Sequence, residues 1–475
     1  MSESPTYDAV VVGSGPNGLA AAVELARNGR RVAVLEGRST IGGGMRSAQI
    51  TLPGFVHDLG SAIHPLGYAS PYFRSLPLEE HGLQWVHPEA PLAHPLDGGE
   101  AAVLERSIGE TAAGLGPDSA AYRRLMEPGS ADAARIAGYF VGKPSVLRHP
   151  LALASSGIRA LGDAEGLANR VFEGGKARAL FAGNAAHSFL PLDQPPSAMF
   201  GLLLSTLGHA FGWPFPRGGS QSLADALASY LESLGGEIYT DAMVHTLDDL
   251  PQTRAVLFDV TPRQLLDIAG EHFSESYNNA LKRYRYGPGV FKVDLALDGP
   301  IPWEAEECKR AGTVHLGGTL EEVAVGEAAV GRGEHPERPF ILLAQQSLFD
   351  TMRAPEGKHT VWAYCHVPNG STFDMTERIE AQIERFAPGF EDLILARKTA
   401  GTVELERWNP NLIGGDINGG YMDLRQLFTR PMPRPNPYST PADGIYICSS
   451  STPPGGGVHG MCGYLAARVA SSYLG

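Results

Sequence analysis

The amino-acid sequence predicts an α/β fold, because a strand, a glycine-rich loop and a helix follow one another at both ends of the chain. Near the N-terminus, an apolar run ends at Val12, a loop of six residues follows, and a helical pattern extends from Leu19 to Asn28. Gly29 is placed to end that helix, and 31–35 is predicted to be a second strand. Two strands joined by a helix in this way pair in parallel, which predicts a Rossmann-like sheet.

The loop after the first strand has the sequence Gly13-Ser14-Gly15-Pro16-Asn17-Gly18, which is the Gly-x-Gly-x-x-Gly pattern. In dinucleotide-binding proteins the first glycine permits a tight turn, the second lets the backbone approach a pyrophosphate, and the third lets helix and strand pack closely. Glu36 lies about 20 residues further on, where an acidic side chain accepts hydrogen bonds from a ribose. The combination predicts a bound dinucleotide, with a glycine-rich turn in an ordinary α/β unit as the alternative.

A second glycine-rich turn, Ile41–Arg46, follows the second strand almost at once. Its backbone amides and the Arg46 guanidinium are placed to meet a second phosphate. Flavoproteins of the glutathione-reductase and amine-oxidase type usually carry such a turn, and NAD-linked dehydrogenases usually lack it. FAD is therefore the predicted cofactor, and a glycine-rich surface loop is the alternative.

The C-terminal end of the chain has a similar organisation. Residues 444–448 have the composition of a strand, a loop with three consecutive glycines runs from Ser449 to Gly457, and a helical pattern covers 458–473. A helix N-terminus carries unpaired N–H groups and a partial positive charge, which stabilise a nearby anion. We expect this end to face the pyrimidine edge of a reduced flavin.

These motifs together resemble those of phytoene desaturase-related FAD-dependent oxidoreductases. The resemblance rests on the N-terminal fingerprint, the Gly-Gly-x-x-Arg turn at Gly42–Arg46, the Gly212–Ser220 segment and the Cys448–Gly460 loop, and spans nearly the whole chain. It implies a Rossmann-like FAD-binding domain with an interleaved α+β substrate domain, a non-covalent FAD, and removal, addition or movement of hydrogens on an apolar substrate. Ser449 departs from the pattern, because many relatives carry glycine beside the flavin, and that local contact stays open.

We expect residues of these motifs, and one segment near Val244 that is placed to contact the adenine, to bind the cofactor. They are Gly13, Ser14, Gly15, Pro16, Asn17, Gly18, Glu36, Gly37, Arg38, Gly43, Gly44, Met45, Arg46, Val244, Ser449, Ser450, Gly457, Val458 and His459.

The FAD-binding domain is predicted to be discontinuous. It comprises residues 1–70, 217–270 and 436–475, and residues 71–216 and 271–435 form the substrate domain. The 71–216 segment is rich in alanine and leucine and is mostly helical in pattern.

In the second part of the substrate domain the pattern predicts a sheet that faces the flavin. Its strands are expected at 290–297, 340–345 and 360–366. An amphipathic helix follows, with Ile379, Ile383 and Phe386 at helical spacing.

The most apolar part of the substrate domain is Ser197–Trp213. We expect it to line a tunnel for an apolar small molecule or to contact a membrane peripherally, and a buried helix is the alternative. It is too short to span a bilayer. A second dinucleotide fingerprint is absent from the sequence, so oxygen, a quinone or another small molecule is the expected electron acceptor.

Composition and charge exclude several classes of protein. The 475 residues carry a formal net charge of −14, which disfavours nucleic acid as a partner. No uninterrupted run of about 20 apolar residues occurs, and residues 1–6 lack the apolar core of a signal sequence, so we expect a cytoplasmic protein without a transmembrane helix. The four cysteines are widely spaced, and no metal site is expected.

The catalytic candidates are polar side chains expected near the flavin, because the flavin performs hydride chemistry and the protein supplies orientation and electrostatics. His459 lies at the start of the predicted last helix and can exchange a proton near neutral pH, with holding the loop as the alternative. His64 follows the second glycine turn, where loop hydrogen bonding is the alternative. Tyr364 lies on a predicted strand, where it faces the ring or belongs to the core.

Three functions stay open at this point. The first is hydride transfer from an apolar substrate to FAD, in desaturation or dehydrogenation. The second is a flavin-dependent isomerase or a flavin-binding protein without net turnover. The third is an amine oxidase, which a pair of aromatic rings facing the flavin would favour. Flavin bleaching by substrate without oxygen indicates oxidation, whereas product formation without bleaching indicates isomerisation.

Overall fold

The computed structural model describes residues 6–130 and 159–475. Their strands form a five-stranded sheet in which all neighbours are parallel, a seven-stranded mixed sheet and two short antiparallel pairs. The predicted α/β fold with a Rossmann-like parallel sheet is confirmed.

The strands are numbered here in chain order within the described residues. They are β1 (Tyr7–Val12), β2 (Val32–Leu35), β3 (Ser47–Gln49), β4 (Val56–Asp58), β5 (Trp85–Val86), β6 (Ala90–Leu96), β7 (Glu100–Leu104), β8 (Phe215–Pro216), β9 (Glu237–Tyr239), β10 (Thr253–Phe258), β11 (Gly289–Leu297), β12 (Ala311–Leu316), β13 (Ile341–Ala344), β14 (His359–Val367), β15 (Ile394–Ala400) and β16 (Ile445–Ile447).

The order of strands places the ligand site. The parallel sheet has the order β16-β10-β1-β2-β9, and the mixed sheet has the order β15-β11-β14-β13-β12-β6-β7. Because β10 and β2 lie on opposite sides of β1, the connections reverse direction at β1. In open α/β sheets, ligands bind beyond the carboxyl ends of the strands at such a reversal.

The α-helices of the described residues are numbered in the same way. They are α1 (Pro16–Arg27), α2 (Pro65–Ala69), α3 (Ile108–Gly114), α4 (Ser119–Ser130), α5 (Ala164–Val171), α6 (Gly175–Ala186), α7 (Ser197–Phe211), α8 (Gln221–Ser233), α9 (Pro262–Ala269), α10 (Glu275–Lys282), α11 (Leu320–Gly331), α12 (Thr376–Phe386), α13 (Thr402–Trp408), α14 (Leu424–Leu427) and α15 (Met461–Leu474).

The parallel sheet is buried on both faces. Ala9 and Val11 of β1 pack into a core shared with α1, α8 and α15. Val10 and Val12 point the other way, into a core shared with α9 and α10. This alternation follows from the two-residue period of a strand and explains why all four residues are apolar.

The predicted ends of several elements shift by a few residues. The first helix begins at Pro16 and not at Leu19, because proline is well suited to the first helical position, where its missing N–H has no partner to lose. The last helix begins at Met461, since Gly460 has a φ of +69° and therefore cannot belong to a right-handed helix.

The 71–216 segment is richer in helix than in strand over its described part, and it also contains strands that the sequence analysis did not predict. The described part is helical in α3 to α7, but β5, β6 and β7 lie between 85 and 104, and β6 and β7 join the mixed sheet. Pro91, Pro95 and four alanines in 90–102 weaken the strand signal, because proline removes a ladder donor and alanine is depleted in strands. Residues 131–158 of this segment lie outside the described residues.

The predicted strands of the second part are confirmed as β11, β13 and β14. Helix α12 is also confirmed, and Ile379, Ile383 and Phe386 are buried in one core with the mixed sheet. The predicted domain boundaries stay a prediction. Within the described parts of the chain, no helix combines the length and apolarity needed to cross a bilayer.

Candidate functional site

A large cavity connects the carboxyl edge of the parallel sheet with one face of the mixed sheet. Its volume is about 1380 Å³. Its lining includes the first glycine loop and Glu36, and also Lys292 of β11 and Tyr364 of β14. One continuous space is therefore bordered by the predicted cofactor motifs and by the predicted substrate domain.

The first glycine loop is a tight turn between β1 and α1. Gly13 has a φ of +98°, which L side chains rarely adopt, and its N–H donates to the Leu35 carbonyl at 2.8 Å. A Cβ at Gly18 would lie 2.0 Å from the Gly13 oxygen, so a side chain at this position would prevent the close start of α1. Both constraints are those that the fingerprint predicts.

Glu36 lies at the carboxyl end of β2, beside this loop. Its carboxylate accepts hydrogen bonds from the Ser14 N–H at 3.0 Å, the Ser14 hydroxyl at 2.5 Å and the Arg38 N–H at 2.9 Å. The side chain is 9% exposed and lines the cavity. These bonds fix the carboxylate at the position where the fingerprint places a ribose acceptor.

The second glycine turn touches the first. A Cβ at Gly43 would lie 2.9 Å from the Gly15 Cα, so the two loops form one cradle. Arg46 donates through Nε to the Gly43 carbonyl at 3.1 Å and through Nη2 to the Trp408 carbonyl at 3.2 Å. Its guanidinium stacks on the Trp408 ring at 4.4 Å, which holds a cation at the cavity wall.

The donors of this cradle fit a pyrophosphate. No described residue accepts a hydrogen bond from the backbone amides of Gly15, Asn17, Gly43 and Gly44, and all four residues line the cavity. Unpaired N–H groups at a helix N-terminus bind phosphate oxygens. The buried Asn17 Oδ1 also has no partner among the described residues.

Other predicted cofactor residues lie around the cradle. Gly37 and Arg38 follow Glu36 on the cavity wall. A Cβ at Gly37 would lie 2.4 Å from the Met243 methyl group, so glycine keeps this wall close to the 242–244 segment. Val244 is buried against the cavity, and the hydrogen bonds of the described residues leave its backbone unengaged. Met45 is fully buried below the second turn and does not line the cavity.

Asp259 is a site residue that the sequence analysis missed. It follows β10 directly, and its Oδ2 accepts a hydrogen bond from the Gly18 N–H at 2.9 Å. Burial is the main cause that raises the pKa of Asp259 to about 7, and the nearby Glu36 adds to it. A polar residue directly after an apolar strand was the available signal, because parallel strands bring their carboxyl ends to one edge.

The C-terminal loop forms another part of the wall. Ser449, Ser450, Gly457 and Val458 all line the cavity. The amides of Gly457 and Val458 make no hydrogen bond to a described residue, and they lie four and three residues before the first residue of α15. Their donors suit the electron-rich edge of a ring, as the sequence analysis expects.

His459 is buried within this loop with both ring nitrogens engaged. Nδ1 accepts from the Met461 N–H at 3.0 Å, so Nε2 carries the proton and donates to the Gly455 carbonyl at 3.2 Å. Burial lowers the pKa of His459 to about 4. The catalytic role stays a prediction, and these bonds favour the alternative in which His459 holds the loop.

His64 also lines the cavity, and one of its nitrogens has no partner. The Ser220 hydroxyl donates to the Ser61 carbonyl at 2.8 Å, so His64 Nε2 must donate to Ser220, 2.8 Å away. Burial lowers the pKa of His64 to about 4, and the ring is therefore neutral. The buried Nδ1 is consequently an acceptor with no hydrogen bond to the rest of the described chain.

One face of the mixed sheet carries polar and aromatic groups toward the cavity. Lys292 of β11 lies opposite Tyr364 of β14 in the ladder, and Asp294 lies opposite Trp362. Lys292 forms an ion pair with Asp294, and burial lowers the pKa of the lysine. A lysine and an aspartate two residues apart inside an apolar strand are unusual, and this signal could have identified Lys292 as a site residue.

Tyr364 lies on the predicted strand and lines the cavity. Burial raises the pKa of its hydroxyl, which accordingly stays protonated at neutral pH. No described residue bonds to that hydroxyl. Its predicted catalytic role stays a prediction, and its location leaves the hydroxyl available to a ligand.

Comparison with known proteins identifies the family. Residues 17 to 468 match the family described as flavin containing amine oxidoreductase. Pyridine nucleotide-disulfide oxidoreductase domain-containing protein 2 of Mus musculus is 29% identical, over 98% of this chain and 93% of its own length. Phytoene desaturase (neurosporene-forming) of Rhodobacter capsulatus is 25% identical, over 96% of this chain and 92% of its own.

A solved structure supports the fold. An oxidoreductase from Methanosarcina mazei superimposes with a TM-score of 0.64 at 16% identity, over 98% of this chain and 99% of that one. The family match and the desaturase relative confirm the resemblance to phytoene desaturase-related flavoproteins, and FAD as the cofactor. The chain is an FAD oxidoreductase that belongs to the flavin containing amine oxidoreductase family.

Proposed function

We propose that this FAD oxidoreductase removes hydrogen from an uncharged, apolar small molecule, as a desaturase or dehydrogenase does. The observation that carries the proposal is the apolar lining that α7 contributes to the cavity. Its side chains there are Met199, Phe200, Leu202, Leu203 and Leu204. A wall of this kind stabilises apolar surface and offers little to a hydrated substrate.

The charges of the cavity support the same proposal. Among the described residues that line it, the carboxylates are Glu36 and Asp259, and both lie at the glycine cradle. On the mixed sheet, the charged group at the wall is the cation Lys292. A cationic amine would therefore meet no carboxylate there, which disfavours the amine oxidase alternative.

The protein's part in the reaction is to orient the substrate and to handle a proton. FAD, when bound, supplies the acceptor for a hydride. Removal of hydrogen across a C–C bond also releases a proton, and His64 Nδ1 is a free acceptor at the cavity wall. The Tyr364 hydroxyl provides a neutral donor, and His459 holds the loop before α15.

The electron acceptor that reoxidises the flavin is proposed to be oxygen, a quinone or another small molecule. The support is the sequence itself, in which one Gly-x-Gly-x-x-Gly pattern, Gly13–Gly18, is followed by an acidic residue about 20 positions further on. The name of the Mus musculus relative includes the words pyridine nucleotide. An assay of electron acceptors should therefore test NAD(P)⁺ beside oxygen and quinones.

Anaerobic titration of the FAD-loaded protein tests the proposed function. Cell-extract fractions separated into neutral lipophilic, cationic and anionic pools are added while the flavin absorbance is recorded. We expect the neutral lipophilic pool to bleach the flavin and the cationic pool to leave it oxidised. Bleaching by amines alone would overturn the proposal. The Met199→Asp variant should bind as much FAD as wild type, but the neutral lipophilic pool should bleach its flavin less. That result would locate the substrate at α7.

A further inference from the structure

Three imidazoles lie together at the cavity wall; His94 and His315 are buried, and His187 is partly exposed. His187 directly follows α6 and lines the cavity, His315 lies on β12, and His94 lies on β6. His187 and His315 are joined by a 3.0 Å hydrogen bond between their Nε2 atoms. Trp213 packs against both rings, with centroid separations of 5.6 Å and 5.7 Å.

The third imidazole has a defined tautomer. His94 Nε2 lies 2.7 Å from the Gly318 carbonyl, which can only accept, so this nitrogen carries the proton. Burial lowers the pKa of His94 to about 4, and the ring is neutral. His94 Nδ1 is therefore an acceptor, and it has no partner among the described residues.

Gly183 of α6 leaves room between the rings. A Cβ on Gly183 would lie 2.7 Å from His315 Nδ1 and 2.8 Å from His94 Nδ1, so both nitrogens face the same point. His315 Nδ1 is also without a partner among the described residues. Gly183 lies one helical turn before His187, so the same face of α6 carries the gap and the cavity-lining imidazole.

The His187–His315 pair has two proton arrangements. Burial lowers the pKa of His187 to about 3 and that of His315 well below its ordinary value, so each ring carries one proton. If His187 donates along the Nε2 bond, its Nδ1 is an acceptor. If His315 donates, His187 Nδ1 carries a proton and is a donor. No described residue bonds to this Nδ1.

We propose that His187 contacts the substrate, and that its Nδ1 binds an uncharged hydroxyl or carbonyl group on an otherwise apolar molecule. The His315 ring positions His187 and lets its Nδ1 accept or donate. This inference rests on the proposed function, because it takes the cavity beside α7 as the substrate site. It narrows the proposed substrate class from uncharged, apolar small molecules in general to those that carry a hydroxyl or carbonyl group.

The surroundings of His187 agree with a neutral polar group. Phe189, Leu342 and Trp213 provide apolar contact in the same part of the cavity lining. Glu327 is a nearby buried carboxylate, and it is engaged by His366 Nδ1 at 2.7 Å. A charged group in this region would lose its hydration without gaining an opposite charge, whereas a hydroxyl needs only one partner.

Binding of two matched probes tests the proposal. 1-Octanol and 1-fluorooctane have the same chain length, but only the alcohol is a good hydrogen-bonding group. Their dissociation constants are measured by calorimetry on the FAD-loaded protein. A neutral hydrogen bond is worth roughly a 3- to 10-fold difference in affinity, so wild type should prefer 1-octanol by about that factor.

Variants assign the preference to His187. His187→Phe should bind both probes equally, and His187→Gln, which keeps a donor and an acceptor, should retain part of the preference. His272→Phe is the matched control, since this histidine is exposed and does not line the cavity. If His187→Phe does not fold, NMR of the wild-type protein takes the place of the variant. The ¹⁵N chemical shift of His187 Nδ1 should then change when 1-octanol is added and stay the same when 1-fluorooctane is added.

The outcomes separate this inference from the proposed function. Equal affinity of wild type for both probes, failure to bind either, or a preference retained by His187→Phe would overturn the role of His187. A protein that prefers 1-octanol through His187, but whose flavin no neutral compound bleaches, would retain this inference and lose the dehydrogenase proposal.

Discussion

The Asp259 carboxyl group accepts a hydrogen bond from the Gly18 amide at 2.9 Å, so a titratable side chain at the end of β10 is bonded to the glycine loop that follows the neighbouring strand β1. The group is buried beside the amides that fit a pyrophosphate, and burial raises its pKa to about 7. A second negative charge at this position opposes the binding of an anion. The protonation of Asp259 is therefore coupled both to folding and to cofactor binding.

The first prediction concerns this coupling. A carboxyl group whose pKa rises from 3.8 in the unfolded chain to about 7 in the native protein stabilises the fold below pH 4, and the contribution is lost as pH rises toward 7. This contribution to the free energy of unfolding amounts to roughly 4 kcal/mol, because one pKa unit corresponds to about 1.4 kcal/mol. Asp259→Asn should remove this pH dependence and stabilise the apoprotein at pH 8. Urea unfolding of wild type and variant between pH 4 and 8 measures it.

The exposed Asp248 offers the control, since Asp248→Asn should leave the pH dependence as in wild type. FAD should also bind more tightly to Asp259→Asn than to wild type at pH 8. Parallel stability curves for wild type and Asp259→Asn across this pH range would show that Asp259 is not the coupled group.

The second prediction concerns Glu36. Replacement by arginine removes the acceptor of the Ser14 N–H bond and places a cation in a site built for a ribose. A lost hydrogen bond to a charged group costs about 1.5–3 kcal/mol, which corresponds to a roughly ten- to hundredfold weaker affinity for FAD. Glu36→Gln should fall between wild type and Glu36→Arg. FAD content after dialysis reports the order, and unchanged retention by Glu36→Arg would place the ribose elsewhere.

The third prediction concerns the buried ion pair of β11. Lys292→Met leaves the Asp294 carboxylate buried without its cation, which should destabilise the protein by about 3–5 kcal/mol. The double variant Lys292→Met/Asp294→Asn also removes the unpaired carboxylate charge and should recover most of that stability. Thermal unfolding of the single and double variants tests this. Equal loss in both would mean that packing, and not charge, explains the effect of Lys292→Met.

The fourth prediction concerns His459. Because both of its ring nitrogens bond within the loop, His459→Asn should lower thermal stability or FAD content while the remaining bound FAD is reduced at the wild-type rate. Loss of acid–base catalysis would instead slow reduction by about 10²–10⁴-fold. Single-turnover reduction, expressed per bound FAD, separates the two roles. A hundredfold slower rate at full FAD content would restore His459 as a catalytic residue.

The glycine cradle and Glu36 could be predicted from the sequence because their constraints are local. A positive φ at Gly13, the close start of α1 and the acid after β2 all depend on residues near one another in the chain. Lys292 was missed because its importance depends on the register that sets it opposite Tyr364 in the next strand of the ladder. A single sequence without this register shows only a charged residue in an apolar run.

The imidazole cluster depends on still longer-range pairing. His315 and His94 lie close together because β12 pairs in parallel with β6. Strand β6 was not predicted, because Pro91 and Pro95 weaken the strand signal in the sequence. His187 reaches them only because α6 packs against β6. The part of the cavity beside His187 is thus formed by residues that are distant in sequence, whereas the glycine cradle is formed by continuous sequence motifs.

Quantifying product against flavin reduction in one anaerobic turnover tests the central claim most directly. The FAD-loaded protein is mixed with an excess of a neutral lipophilic compound that it converts to product, and product and reduced flavin are both measured. Transfer of hydrogen to FAD predicts one dehydrogenated product molecule for each flavin reduced, and no further product until an acceptor is added. Product that accumulates beyond the amount of FAD while the flavin stays oxidised would contradict a dehydrogenase and indicate an isomerase.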